Sequence, residues 1–174
     1  MVGHLTLEQT LCSHAFTRGL TEKQIAGLAS LATEVTFADD EVILFEGRGS
    51  HYFYLVLSGS VAVELHTPTF TLFVQALGPG QAFGWSALLD HKDTLFQVRA
   101  RERTTALRLA GRDLARLCRT DTGLGARILL RTLGEVAGRV KATETKFAEM
   151  CGVRTPRPHP KKDSSQLERS THFT

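Results

Sequence analysis

Tyr52-Phe53-Tyr54-Leu55-Val56-Leu57-Ser58-Gly59-Ser60-Val61-Ala62-Val63-Glu64-Leu65-His66 is the stretch whose reading decides the fold. Aromatic and apolar residues fill Tyr52–Ser58, Gly59 breaks the run, and Ser60–His66 resumes with clean alternation. Such a pair reads as two short strands. Working outward, the pattern repeats. Upstream, Thr33–Ala38 alternates through Glu34, Val35, Thr36 and Phe37; Val42–Glu46 follows, then a turn at Arg48-Gly49-Ser50. Downstream, Thr71–Leu77 is stopped by Gly78-Pro79-Gly80, and Leu95–Arg101 and Thr104–Leu109 complete the series. Strands this short, with Gly/Pro turns between them, predict an antiparallel sandwich or roll.

The fold class is therefore α+β. An antiparallel β-roll, like a double-stranded jelly roll, is expected over about residues 33–109. N-terminal helices are expected near Leu7–Cys12 and Thr21–Ala32, a short helix near Ser86–Leu89, another near Gly111–Arg119, and a long C-terminal helix over Thr122–Met150. The short helix follows a glycine turn at Gly84. Glycine lets the backbone approach a ligand closely, and converging backbone N–H groups suit a phosphate. A polar stretch, Asp90–Thr94, separates that turn from the next strand.

A chain of 174 residues can bury one proper core, here residues 1–150. It has no run of about 18 apolar residues, so no membrane span is expected, and Met1–Thr10 lacks the apolar region of a secretory signal. Cys12, Cys118 and Cys151 are far apart and form no Cys-x-x-Cys, which fits reduced thiols in a cytoplasmic protein. The net charge of +3 sits in the last segment: from Gly152 to Thr174 five basic residues stand against two acidic ones. With Pro156, Pro158, Pro160 and Ser164-Ser165, residues 151–174 read as a disordered basic tail. A balanced folded part argues against a nucleic-acid surface.

Catalysis finds little support. The seven histidines are scattered without ligand spacing, and no Gly-x-Ser-x-Gly, Walker-type or Gly-x-Gly-x-x-Gly element occurs. His14 reads as a helix-start residue, and Asp39-Asp40-Glu41 as a solvated turn. No cofactor or metal is implied.

Five local patterns in order give a resemblance. Ser13–Thr21, Glu41–Gly47, Tyr54–Val61, Leu77–Gly80 and Phe83-Gly84 resemble the cyclic-nucleotide-binding domain of Crp/Fnr-type sensors, over about residues 12–150. The resemblance implies a phosphate-binding cassette at Gly84, Trp85, Ser86 and Ala87. In the family pattern a glutamate after the glycine binds the ribose hydroxyl and an arginine pairs with the cyclic phosphate. Here those positions carry Trp85 and Thr94, and Leu95 and Phe96 stand where small residues are usual. Thr94 supplies no charge. Lys92 and Arg99 are the nearest cations, and neither is as well placed as the missing arginine. Trp85 either stacks on a base or fills the pocket. Arg139-Val140-Lys141-Ala142-Thr143-Glu144 resembles the helix stretch that gives the family its adenine-edge hydroxyls, with Thr143 at the first such position; a polar residue setting helix register is the alternative.

The long helix carries apolar residues at Ala126, Leu129, Leu133, Val136, Val140 and Phe147, and Thr143 and Met150 continue the spacing, in steps of three and four. That is a coiled-coil seam. The expected consequence is a homodimer paired through Leu129, Leu133, Val136 and Val140; the alternative is a helix packed only on its own domain. A second stripe, Leu124 and Ile128 with Leu130 nearby, is expected to face the roll. Crp/Fnr-type regulators follow the sensor with a helix-turn-helix domain, and the polar tail leaves no such periodicity, so direct DNA binding is not expected. Two functions follow. One is a non-catalytic sensor or regulatory protein that binds a small molecule: a cyclic nucleotide held atypically and weakly, another small anion, or an apolar compound. The other is a dimeric protein-interaction module with a degenerate pocket. Filling of the pocket by Trp85, Leu95 and Phe96 would favour the second.

Overall fold

The computed structural model describes residues 5–89 and 93–152. Lys92 and the tail from residue 153 lie outside the described residues. Two capping boxes start the chain. Thr6 and Gln9 close α1 (Leu7–Ser13), and Thr21 and Gln24 close α2 (Glu22–Ala29), each pair satisfying two free N–H groups reciprocally. Between them, His14 opens a short 3-10 turn (Ala15–Thr17), where its Nδ1 accepts from the Phe16 N–H at 3.2 Å. The helix-start reading of His14 therefore holds.

Among the described residues eight strands follow: β1 (Ala32–Phe37), β2 (Val42–Leu44), β3 (Tyr52–Ser58), β4 (Val61–His66), β5 (Thr71–Leu77), β6 (Ala82–Phe83), β7 (Phe96–Ala100) and β8 (Thr104–Ala110). A 3-10 turn (Trp85–Leu88) separates β6 from β7, and α3 (Gly111–Thr120) and α4 (Thr122–Met150) close the fold. The strands form two antiparallel sheets, in the orders β1-β8-β3-β6 and β2-β7-β4-β5. This is the expected antiparallel roll.

The alternation of β3 explains its unbroken apolar run. Tyr54 and Val56 point into the roll with Val61, Val63, Phe83 and Val98, whereas Phe53 and Leu55 point outward to the helices. Both faces of the strand are covered, so Phe53 through Val56 are all buried. The outer cluster joins Leu11 of α1, Ile25 and Leu28 of α2, Leu114 of α3, and Leu124 and Ile128 of α4. Aromatic stacking of Tyr54 on Phe83, at 4.7 Å between ring centres, holds β3 to β6 inside the roll.

Several boundaries differ from expectation. The second helix ends at Ala29, because Ala32 pairs with Leu109 at the start of the β1–β8 ladder and is drawn into the sheet. The short cassette helix is a 3-10 turn one residue earlier than expected. Leu130 does not face the roll: it is 69% exposed. At about 100° per residue it lies on the opposite side of α4 from Ile128. The Asp39–Glu41 segment is the exposed turn expected, with Asp40 in the left-handed region at φ 66°.

Candidate functional site

Gly84 sets the geometry of the cassette turn. Its φ is 78°, and a Cβ there would collide with the Tyr52 carbonyl oxygen, so only glycine fits on both counts. The turn then runs through Trp85 and Ser86. Ser86 is buried, and its Oγ accepts from the Ser50 N–H at 3.1 Å, tying the turn to the loop before β3. Facing the turn across a narrow cleft stands α4.

The cleft has three walls. Gly84, Trp85 and Ser86 form one, with Thr94 at its edge; Leu44 of β2 and Phe96 and Val98 of β7 form the apolar floor; Arg139 of α4 closes the far side. The cleft is open at its mouth, and its free space is about 20 Å³, close to the room one water needs. Thr94 Oγ1 accepts from the Phe96 N–H at 3.1 Å, so its oxygen is engaged locally. A larger open groove of about 770 Å³ lies on the other side of the turn, lined by Arg48, His51, Tyr52, Ala87 and Arg112. We take the narrow cleft as the candidate site, because there the glycine end of the turn faces the buried Arg139 of the long helix.

The expected site residues divide clearly. Gly84, Trp85, Ser86 and Thr94 meet in the cleft. Ala87 turns away to the large groove. Arg99 is engaged elsewhere: its guanidinium pairs with Asp40 at 3.1 Å and Glu64 at 3.3 Å and donates to the Asp40 carbonyl at 2.9 Å. Thr143 does not line the cleft; its Oγ1 donates to the Arg139 carbonyl at 2.9 Å, one turn back along α4. Leu95 is 74% exposed and fills nothing, whereas Trp85 and Phe96 do form walls.

Arg139 is the cleft residue the sequence reading passed over. It is only 9% exposed, its guanidinium lies 5.8 Å from the centre of the Phe96 ring, and its Nε is buried with no hydrogen-bond partner. Burial works against its charge, lowering its proton affinity, and Glu135 one turn earlier offsets this in part. Burial likewise pushes the Glu135 carboxyl upward, opposed by the Ala82 N–H and by Arg139. The signal was present in the sequence: Glu135, Arg139 and Thr143 stand four apart along one strip of the helix that borders the apolar seam.

The seam residues lie on the outer side of α4. Leu129, Leu133 and Val140 are 57%, 62% and 51% exposed, and Val136 is half-buried. Among the described residues no helix is long and apolar enough to cross a membrane. Nor does any group of three or more His, Cys, Asp or Glu side chains there form a metal site.

No curated protein matches the chain. Solved structures do match in fold. A putative cyclic nucleotide-binding protein from Geobacter metallireducens GS-15 is 22% identical, with a TM-score of 0.66 over 79% of this chain and 99% of that one. The sensor domain of the transcriptional regulator DNR from Pseudomonas aeruginosa is 19% identical, with a TM-score of 0.62 over 77% and 91%. The regulatory subunit of a cAMP-independent protein kinase A from Trypanosoma cruzi, bound to guanosine, is 21% identical, with a TM-score of 0.64 over 83% and 48%. Residues 34–121 match the family model described as cyclic nucleotide-binding domain. A match over half the chain, on a roll that presents its glycine turn to a closing helix, makes this protein a member of the cyclic nucleotide-binding domain family.

Proposed function

We propose that the chain is a non-catalytic, cytoplasmic regulatory protein that senses a small molecule in the cleft between the cassette turn and α4, and that it binds cyclic AMP and cyclic GMP weakly or not at all. The observation that carries this reading is the cleft itself. Trp85 and Thr94 stand where the family pattern has a carboxylate and a guanidinium, and about 20 Å³ of free space remains between them and α4. Losing one phosphate-pairing charge costs on the order of 3–5 kcal/mol, or about a hundred- to several-thousand-fold in affinity. The fold tolerates other ligands: the Trypanosoma cruzi relative is a cAMP-independent regulatory subunit seen with guanosine. The exposed seam of α4 supports a homodimer as the working unit.

Calorimetric titration with cyclic AMP and cyclic GMP tests the proposal. Dissociation constants in the millimolar range or no heat are expected. A value near or below a few micromolar overturns it. The double variant W85E/T94R should recover measurable cyclic AMP binding, with trimming of Phe96 to open the floor if needed. Leu95 needs none, being exposed. A second reading, a dimeric protein-interaction module with a closed pocket, is favoured by the near filling of the cleft by Trp85 and Phe96. It predicts that no small molecule of any class shifts the protein's melting temperature.

A further inference from the structure

We propose that Arg139 is an anion anchor: the chain holds a small oxyanion, a carboxylate or phosphate group, from helix α4 rather than from the cassette turn. This rests on the reading of the cleft as the ligand site. Arg139 is nine-tenths buried, it lines the cleft, and its Nε finds no partner. A guanidinium is always charged and carries five donors in a fixed fork. Leaving a buried donor unsatisfied costs free energy, so such a group marks a place where something arrives. Among the described residues no carboxylate pairs with it. The one acid close on α4, Glu135, also faces the Ala82 amide.

The surroundings select for an anion. The floor residues Leu44, Phe96 and Val98 offer no side-chain acceptor. The Ser86 hydroxyl already accepts from Ser50, which leaves its own hydrogen to donate. The size selects for a small one. A space of about 20 Å³ admits one oxygen of a carboxylate or phosphate to the guanidinium, with the rest of the ligand in the open mouth.

Trp85, the chain's single tryptophan, reports on the cleft. The full chain is titrated with inorganic phosphate, sulfate and acetate at fixed ionic strength, following its fluorescence. A saturable change is expected with at least one of them. R139M should raise the dissociation constant at least about tenfold, and R139K should fall between, as a point charge without the fork. Without anion, R139M should melt no lower than the wild type, because it removes a buried charge that forms no salt bridge among the described residues. A markedly lower melting temperature, or an unchanged dissociation constant in R139M, overturns the proposal in favour of a packing role. No response to the three anions, together with a response to an uncharged compound from a metabolite panel, overturns the anchor and leaves the sensor reading standing. No response to anything in the panel overturns both.

Discussion

The two halves of α4 carry the same kind of apolar periodicity and meet opposite surroundings. From Thr122 to Thr132 the helix is fastened to the body. Asp121 caps it through the Leu124 N–H at 2.9 Å and accepts from Gln24 of α2 at 3.3 Å; Arg131 donates to the carbonyls of Ala15 and Arg18 at 2.8 and 2.6 Å. Leu124 and Ile128 are buried there, and Gly125 packs so tightly that a Cβ would strike the Cys118 carbonyl. From Leu133 to Met150, Arg139 is the one buried residue among those described, while Leu133, Val140, Phe147 and Met150 all face outward. Periodicity thus states which face of a helix is apolar. What covers that face depends on the elements that stand opposite.

The comparison can be broken most decisively at the distal half. If its seam pairs across a two-fold axis, Leu133→Glu places a charge in that seam and should convert dimer wholly to monomer in sedimentation velocity at micromolar concentration. A wild type that already sediments as a monomer would leave the distal face without this partner. Next in size is the contrast in stability between the halves. Leu124→Ala should cost about 2–5 kcal/mol in denaturant unfolding, by lost burial and a cavity, while Leu130→Ala should change stability by less than about 0.5 kcal/mol. Similar losses at the two positions would erase the distinction.

The smallest effect concerns the platform under the first half. His14 is buried, its Nε2 bonds the Val56 carbonyl at 2.9 Å, and Arg131 grips the carbonyls that flank its turn. Burial lowers its proton affinity, with the Val56 bond opposing in lesser degree. A histidine whose folded pKa lies below its unfolded value of ~6.5 stabilises the fold fully above that value. The contribution is lost as pH falls toward the folded pKa, at up to about 1.4 kcal/mol per pH unit. Unfolding measured from pH 7.5 to 5 should show that slope, and His14→Gln should flatten it. A slope that survives the substitution would assign the acid sensitivity to another group.

What the sequence determined by itself is the part governed by neighbours a few residues away. β3, β5 and α4 begin and end where alternation, glycine and helical periodicity place them, since these act through local backbone preference. The Gly84 turn was legible for the same reason: its positive φ is a property of one residue. Tertiary structure decided the rest. β6, only Ala82–Phe83, has too few residues to show a period and exists because Tyr54 and Leu55 pair with it. Arg99 was one of the two nearest cations to the cassette in sequence, but two acids distant in sequence, Asp40 and Glu64, converge on it across the sheet. Leu95 looked like a pocket filler and points to solvent. Arg139 had no role of its own in the sequence pattern, where Thr143 stood for that stretch of helix. It became the cation of the cleft only because α4, fastened by its first turns, lies across the open side of the roll, and the burial of a side chain is set by what packs against it rather than by its own neighbours in sequence.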